Sequence, residues 1–115
     1  MAQWLQLNRK DGEAVIVIGD FNTAANTPAI AQLTNETQGA PILVNAQAIS
    51  YKPAIGPKMS FNAFSIRPES GDQIDHIFVS APFHVKHYAT IAQHDGERVP
   101  SDHFPVVTML EWPMQ

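Results

Sequence analysis

Apolar residues fall into short runs that are broken by Pro, Gly and polar side chains. Ala14-Val15-Ile16-Val17-Ile18 is continuous and largely β-branched, which predicts a strand buried on both faces. The run stops at Gly19 and leaves Asp20-Phe21-Asn22 at the strand's C-terminal end. Residues 2–10 place Trp4, Leu5 and Leu7 near one side of a short amphipathic helix ending before Gly12. Thr27-Pro28 is a good N-cap and first-turn pair for a second helix, running through Leu33 to about Glu36 with Gly39 to close it. Pro53, Gly56 and Pro57 mark residues 50–60 as loop. Further strands are expected over Ser60–Ile66, Gln73–Ser80, Val85–Ala92 and Phe104–Trp112. About five strands and two helices make the class α+β, with a sheet covered on at least one side.

At 115 residues there is room for one domain, and 44% apolar against 16% charged residues is enough to bury a core. Seven Lys+Arg against eleven Asp+Glu give a net charge of −4. That speaks against a protein held to nucleic acid by a broad basic face. It leaves a metal enzyme open, because divalent cations offset acidic ligands. With no cysteine there is no disulfide framework, thiol nucleophile or Cys-based zinc site. No stretch approaches the roughly 18 apolar residues of a membrane span. Met1–Asn8 lacks the basic and long apolar regions of a signal peptide.

Three places set polar groups at the ends or inside of apolar strands: Gly19-Asp20-Phe21-Asn22, Ile74-Asp75-His76-Ile77-Phe78 and Ser101-Asp102-His103-Phe104-Pro105-Val106. A buried carboxylate is costly unless it is paired, hydrogen-bonded or metal-bound. Each segment taken alone has a plain explanation: an Asx turn, a structural Asp–His pair, a loop leading into a strand. All three in one chain, each abutting a β run, point to a shared polar cluster at one rim of the sheet. Carboxylates and an amide offer hard oxygen ligands for Mg²⁺ or Mn²⁺. An Asp bonded to a His sets the tautomer and stabilises the imidazolium. Together they fit metal-assisted attack of water on a phosphoester. His76 follows Asp75 directly, so on a strand it points to the opposite face and reads as packing. His84, His87 and His94 show no ligand spacing and read as surface residues, while Trp4 and Trp112 read as core or lid residues.

These residues resemble the endonuclease/exonuclease/phosphatase superfamily, the metal-dependent phosphoesterases related to DNase I and the abasic-site endonucleases. Val15–Asn22 looks like the family strand ending in G-D-F-N, Ile74–Ser80 like its I-D-[YH]-I-F strand, and Ser101–Val106 like its S-D-H-x-P-V signature. Ser60-Phe61-Asn62-Ala63-Phe64 resembles a T-F-[HN]-G-F segment of a branch of uncharacterised bacterial members. The resemblance implies a four-layer α/β sandwich of the DNase I type, of which this chain is one half, mostly antiparallel sheet with helices on one side. Such sandwiches typically need roughly 200–250 residues. Residues 1–115 would then be the C-terminal portion of a single domain, and the family's early Asn, principal metal-binding Glu and middle His or Tyr motif would precede residue 1. Glu13, Glu36, Glu69, Glu97 and Glu111 stand in the wrong context to replace that Glu.

By resemblance, Asp20 orients or deprotonates the attacking water and, with Asp102, lies at the Mg²⁺ (or Mn²⁺). Asn22 bonds the phosphate and helps to hold Asp20. Asp75 pairs with His103, which contacts the phosphoryl oxygen. The expected activity is hydrolysis of a phosphodiester or phosphomonoester, with weak metal binding and little turnover by this chain alone. The substrate stays open between small molecules, lipids and nucleic acid. The alternative is a non-catalytic binding or assembly module that keeps the fold; a nucleic-acid-binding domain without catalysis fits the acidic balance poorly. Strands apolar on both faces would expose a contiguous patch without the first half. Self-association as a homodimer, a partner carrying the first half, or repacking of residues 40–60 would cover it. Any targeting signal would precede the segment, which leaves the compartment open, although the bacterial branch includes exported members.

Overall fold

The structure is a computed structural model and describes residues 1–34 and 42–113. In chain order its elements are α1 (Ala2–Asn8), β1 (Ile16–Asp20), α2 (Pro28–Thr34), β2 (Val44–Asn45), β3 (Asp75–Val79), β4 (His84–Thr90) and β5 (Val106–Glu111). They make two sheets, one in the order β1-β3-β2 and a second formed by the hairpin β4-β5. All pairings between these strands are antiparallel. β1 and β3 run in register from Ile16 opposite Val79 to Asp20 opposite Asp75.

β3 is the central plank, and its alternating side chains feed two cores. Ile77 and Val79 face the hairpin and pack with Ala46, Val85 and Tyr88, flanked by Val106 and Leu110. Phe78 faces the other way, into a cluster with Leu5 of α1, Ile30 of α2 and Leu43, joined by Val17 and Leu33. Both helices therefore lie on one side of the three-stranded sheet and the hairpin on the other. This is the expected α+β arrangement, mostly antiparallel with helices on one side.

Several expectations need correction. β1 is not buried on both faces: Val17 packs toward the helices, but Ile16 is 49% and Ile18 70% exposed. Their cross-strand partners Val79 and Ile77 lie on the same face and are buried, so the hairpin covers β3 and stops short of β1. Val107 and Met109 are also exposed on β5, alternating with the partly buried Val106, Thr108 and Leu110. In α1 only Leu5 reaches the core, while Trp4 and Leu7 point to solvent. Residues 60–66 are not a strand. Phe61 makes a single bridge to His103, and the chain then turns with Ala63 and Phe64 at φ 52° and 61°.

β2, only two residues long, is a strand that the hydrophobic pattern does not predict. α2 starts where Thr27-Pro28 predicts, with Ala31 N–H on Thr27 O, and its expected continuation to Glu36 and Gly39 lies outside the described residues. Residues 50–60 are loop as expected, and they dock along β4 rather than over β1. Tyr51 N–H bonds Val85 O, Ile55 N–H bonds Tyr88 O, and Thr90 N–H returns to Ile55 O. Gly56, at φ +96°, follows at once; a Cβ there would collide with the Thr90 carbonyl.

Candidate active site

The end of β1, the start of β3 and the loop before β5 meet at one rim. Asp20 and Asp75 are directly opposed across the β1–β3 ladder. Like charges at such positions repel, so the pair needs a compensating positive group. His103 supplies one when it is protonated. Its Nδ1 lies 2.7 Å from Asp75 Oδ2 and its Nε2 3.9 Å from Asp20 Oδ2. The carboxylate can only accept, so Nδ1 carries the proton and Nε2 is turned toward Asp20. One ligand-type atom from each of Asp20, Asp75 and His103 lies within 4.8 Å of the others. The hydrogen bond that His103 donates to Asp75, acting against partial burial and aided by the charges of Asp75, Asp102 and Asp20, raises the His103 pKa above its ordinary value.

Asn22 follows Asp20 in a left-handed conformation, φ 52°, that Asn tolerates better than most residues. Its backbone N–H donates to Asp20 Oδ1 at 2.8 Å, which aims the carboxylate and leaves Oδ2 toward His103. The Asx turn and the site are thus one structure. His76 sits on the opposite face of β3 as expected, 2% exposed and packed between the rings of Phe21 and Phe78. Its Nε2–H donates to Thr23 O at 2.7 Å and so ties the turn after β1 to β3. Asp102 belongs to the rim but not to the three-residue cluster; its Oδ1 accepts from Ser101 Oγ at 3.4 Å, and it acts on His103 through charge.

The donor set fits a hard cation only in part. Mg²⁺ requires near-octahedral oxygen ligation. Within the cluster the oxygens come from Asp20 and Asp75, and Asp75 Oδ2 is engaged by His103. A cleft of about 280 Å³ leads from these carboxylates between Ile18 and Ile77 on one wall and Phe104, Pro105 and Val106 on the other. It leaves room for further ligands from outside the chain.

Ser60, Phe61, Asn62 and Gln73 hold the site in place, and the hydrophobic and polar pattern predicts no role for them. Ser60 is fully buried, and its Oγ accepts from Ile74 and Asp75 N–H at 2.9 and 3.0 Å. Asn62 is 1% exposed and bonds the Ser101 carbonyl through Nδ2 at 3.0 Å. The Phe61 ring meets the His103 imidazole edge-on, centroids 5.3 Å apart. Gln73 donates to the Asp75 carbonyl and accepts from Thr90 Oγ1. The small polar residue at 60 and the amide at 62 were visible in the family-like segment, but nothing in their type announces what they hold.

Residues 1–103 match the sequence profile of the Endonuclease/Exonuclease/phosphatase family. Among solved structures the chain is similar to a mannosyl-6-phosphatase from Bacteroides thetaiotaomicron, at 27% identity and TM-score 0.77, over 96% of this chain and 42% of that one. It is similar to an endonuclease/exonuclease/phosphatase from Bacteroides vulgatus at 25% identity and TM-score 0.78, over 97% of this chain and 42% of that one. A functionally unknown conserved protein from Enterococcus faecalis shares the fold at 22% identity and TM-score 0.77, over 95% of this chain and 40% of that one. The chain thus spans about two fifths of the length of these proteins. A search of curated proteins finds no match. The match over nearly the whole sequence and the shared partial fold carry one conclusion: the chain belongs to the Endonuclease/Exonuclease/phosphatase family.

Proposed function

We propose that residues 1–115 are the C-terminal portion of one phosphoesterase domain that hydrolyses a phosphoric ester with the help of a divalent cation, Mg²⁺ or Mn²⁺. The observation that carries this reading is the Asp75–His103–Asp20 constellation, with two opposed carboxylates and an imidazole between them. The relatives' greater length and the open cleft beside Asp20 support a first half that completes the site.

In this reading Asp75 holds His103 in one tautomer and favours its protonated form, so Nε2–H donates to a phosphoryl oxygen as charge builds there. Asp20 Oδ2 accepts a proton from the attacking water, with Oδ1 held by the Asn22 backbone. The Asn22 amide, exposed at the same strand end, donates to a second phosphoryl oxygen. A cation held by Asp20, with Asp102 nearby and ligands from the first half, would supply charge neutralisation at the phosphate. The cavity of about 640 Å³ lined by Phe61, Asn62, Arg67 and Asp72 adjoins His103 through Phe61 and would take the alcohol portion of the ester. Its mix of an aromatic ring, a cation and an acid suits a hydroxyl-rich alcohol, in keeping with the sugar phosphatase among the similar structures.

The test is hydrolysis of p-nitrophenyl phosphate, its bis-ester and mannose 6-phosphate, by this chain joined to a first half of the domain, with Mn²⁺ or with chelator. Turnover should require the metal and fall at least about 100-fold in Asp20→Ala or His103→Ala, the scale of acid–base contributions. Turnover untouched by both the chelator and the substitutions would end this reading.

A further inference from the structure

His103 lies in the loop before β5, outside any sheet ladder, yet its bond to Asp75 needs ångström placement. What holds that loop comes from a third segment. Residues 60–62 run antiparallel to residues 102–104, with Phe104 N–H on Ser60 O at 2.7 Å and Asn62 N–H on Asp102 O at 2.7 Å. These bonds flank Phe61 and His103, making them the close, non-hydrogen-bonded type of antiparallel pair, in which side chains approach nearest. The edge-on contact of the Phe61 ring follows from that register and restricts rotation of the imidazole.

The same segment grips the other partner. Ser60 Oγ takes the N–H groups of Ile74 and Asp75 together, and Ser60 N–H reaches Asp72 O. One buried hydroxyl thus bonds the backbone of Asp75, while the carbonyl of the same residue bonds the backbone next to His103. Asn62 closes the other end: Nδ2 donates to Ser101 O, and Oδ1 accepts Phe64 N–H at 2.7 Å. That last bond spans Ala63 and stabilises a turn in which Ala63 and Phe64 both adopt left-handed conformations. Non-glycine residues persist there only when their surroundings over-determine them, and such strain concentrates at functional sites.

We propose that residues 60–64 are a strap that sets the Asp75–His103 distance, with Ser60 and Asn62 as its positioning residues. The strap rests on the functional reading of the Asp75–His103 pair but makes a separate claim about what orients it. It predicts that removing the Ser60 hydroxyl loosens the pair without touching either member.

The experiment is proton and nitrogen NMR of the isotope-labelled chain, in the cold and without metal, following the His103 Nδ1–H signal shifted downfield by its carboxylate bond. The unsubstituted chain should show the signal, and Asp75→Asn should remove it and so assign it. Ser60→Ala and Asn62→Ala should broaden it beyond detection or move it toward the position of a free imidazole. Ser60→Thr, which keeps the hydroxyl, should restore it. The amide signals of the β4–β5 hairpin should stay in place throughout. A signal unchanged in both alanine variants would overturn the strap, and if Ser60→Ala fails to fold, Asn62→Ala decides by the same criterion. A signal missing from the unsubstituted chain would refute the Asp75–His103 pair itself and the strap with it.

Discussion

Ile18 and Ile77 face each other across the β1–β3 ladder, the same side chain in the same pairing, yet one is 70% exposed and the other 8%. Truncating each to alanine therefore isolates what covers β3 and not β1. Ile77→Ala removes atoms from a closed cluster with Val79, Val85 and Tyr88, and such truncations cost about 2–5 kcal/mol including the cavity left behind. Complete burial of an aliphatic side chain contributes roughly 1.5–3 kcal/mol, and under a third of Ile18 is covered, so Ile18→Ala should cost roughly 0.5–1 kcal/mol. Urea unfolding of the chain at a few and at tens of micromolar would measure both. The expected result is a gap of several-fold between the variants, with Ile18→Ala near the unsubstituted midpoint. Equal losses at every concentration would show that something within the chain covers β1, and the open face would not exist. A loss at Ile18 that grows with concentration would show a second copy stacking on it, the homodimer that the both-face apolar pattern suggests. In a polypeptide that supplies the family's first half, the Ile18 loss should rise to match Ile77, since sheets stacked about 10 Å apart bury both inner faces.

Protonated His103 is stabilised by Asp75 in the folded state, so this contribution is fully present below pH 6.5, its ordinary pKa, and disappears as pH rises through the raised folded value. Unfolding midpoints compared at pH 6 and pH 8 should show that loss, and Asp75→Asn should flatten it; an unchanged slope in Asp75→Asn would remove the charged pair from the account. The chain alone should bind Mn²⁺ no tighter than about millimolar, as carboxylate sites short of ligands do, with paramagnetic broadening centred on Asp20 and abolished by Asp20→Ala. Broadening centred instead on the exposed His84 or His87 would place the cation elsewhere. Gly56→Ala should destabilise by at least about 1–3 kcal/mol, the scale of a forced left-handed residue, because its Cβ also meets the Thr90 carbonyl. A neutral result would mean that the 50–56 loop does not dock on β4.

Much of the scaffold was legible because burial leaves periodic marks. The β-branched run at 14–18 and the Ile74–Val79 stretch read as strands, and they are β1 and β3. The misreadings share a cause: the pattern reports apolarity, and the neighbours decide whether it is used. Ile16, Ile18, Val107 and Met109 are apolar at positions that the described residues leave exposed. Residues 60–66 carry Phe61, Phe64 and Ile66 like a short strand, but Asn62 Oδ1 captures Phe64 N–H and bends the chain into a turn that neither Ala63 nor Phe64 announces. β2, two residues long, is below what a period-2 pattern can reveal.

The candidate site divides in the same way, and for a chemical reason. Opposed carboxylates at Asp20 and Asp75 are unfavourable as packing, so they stand out in otherwise apolar strands and ask for an explanation. His103 answers it, because an imidazole can act as counter-ion to Asp75 through one nitrogen and keep a second nitrogen, on a ring that titrates near neutral pH, toward Asp20. The strap works through backbone groups. The hydroxyl of Ser60 binds two N–H groups that any non-proline residues at 74 and 75 would offer, so nothing at those positions records the contact. Reactive groups are therefore readable one by one from the chain. The groups that aim them become visible only once the loop before β5 and the start of β3 are seen on either side of Ser60.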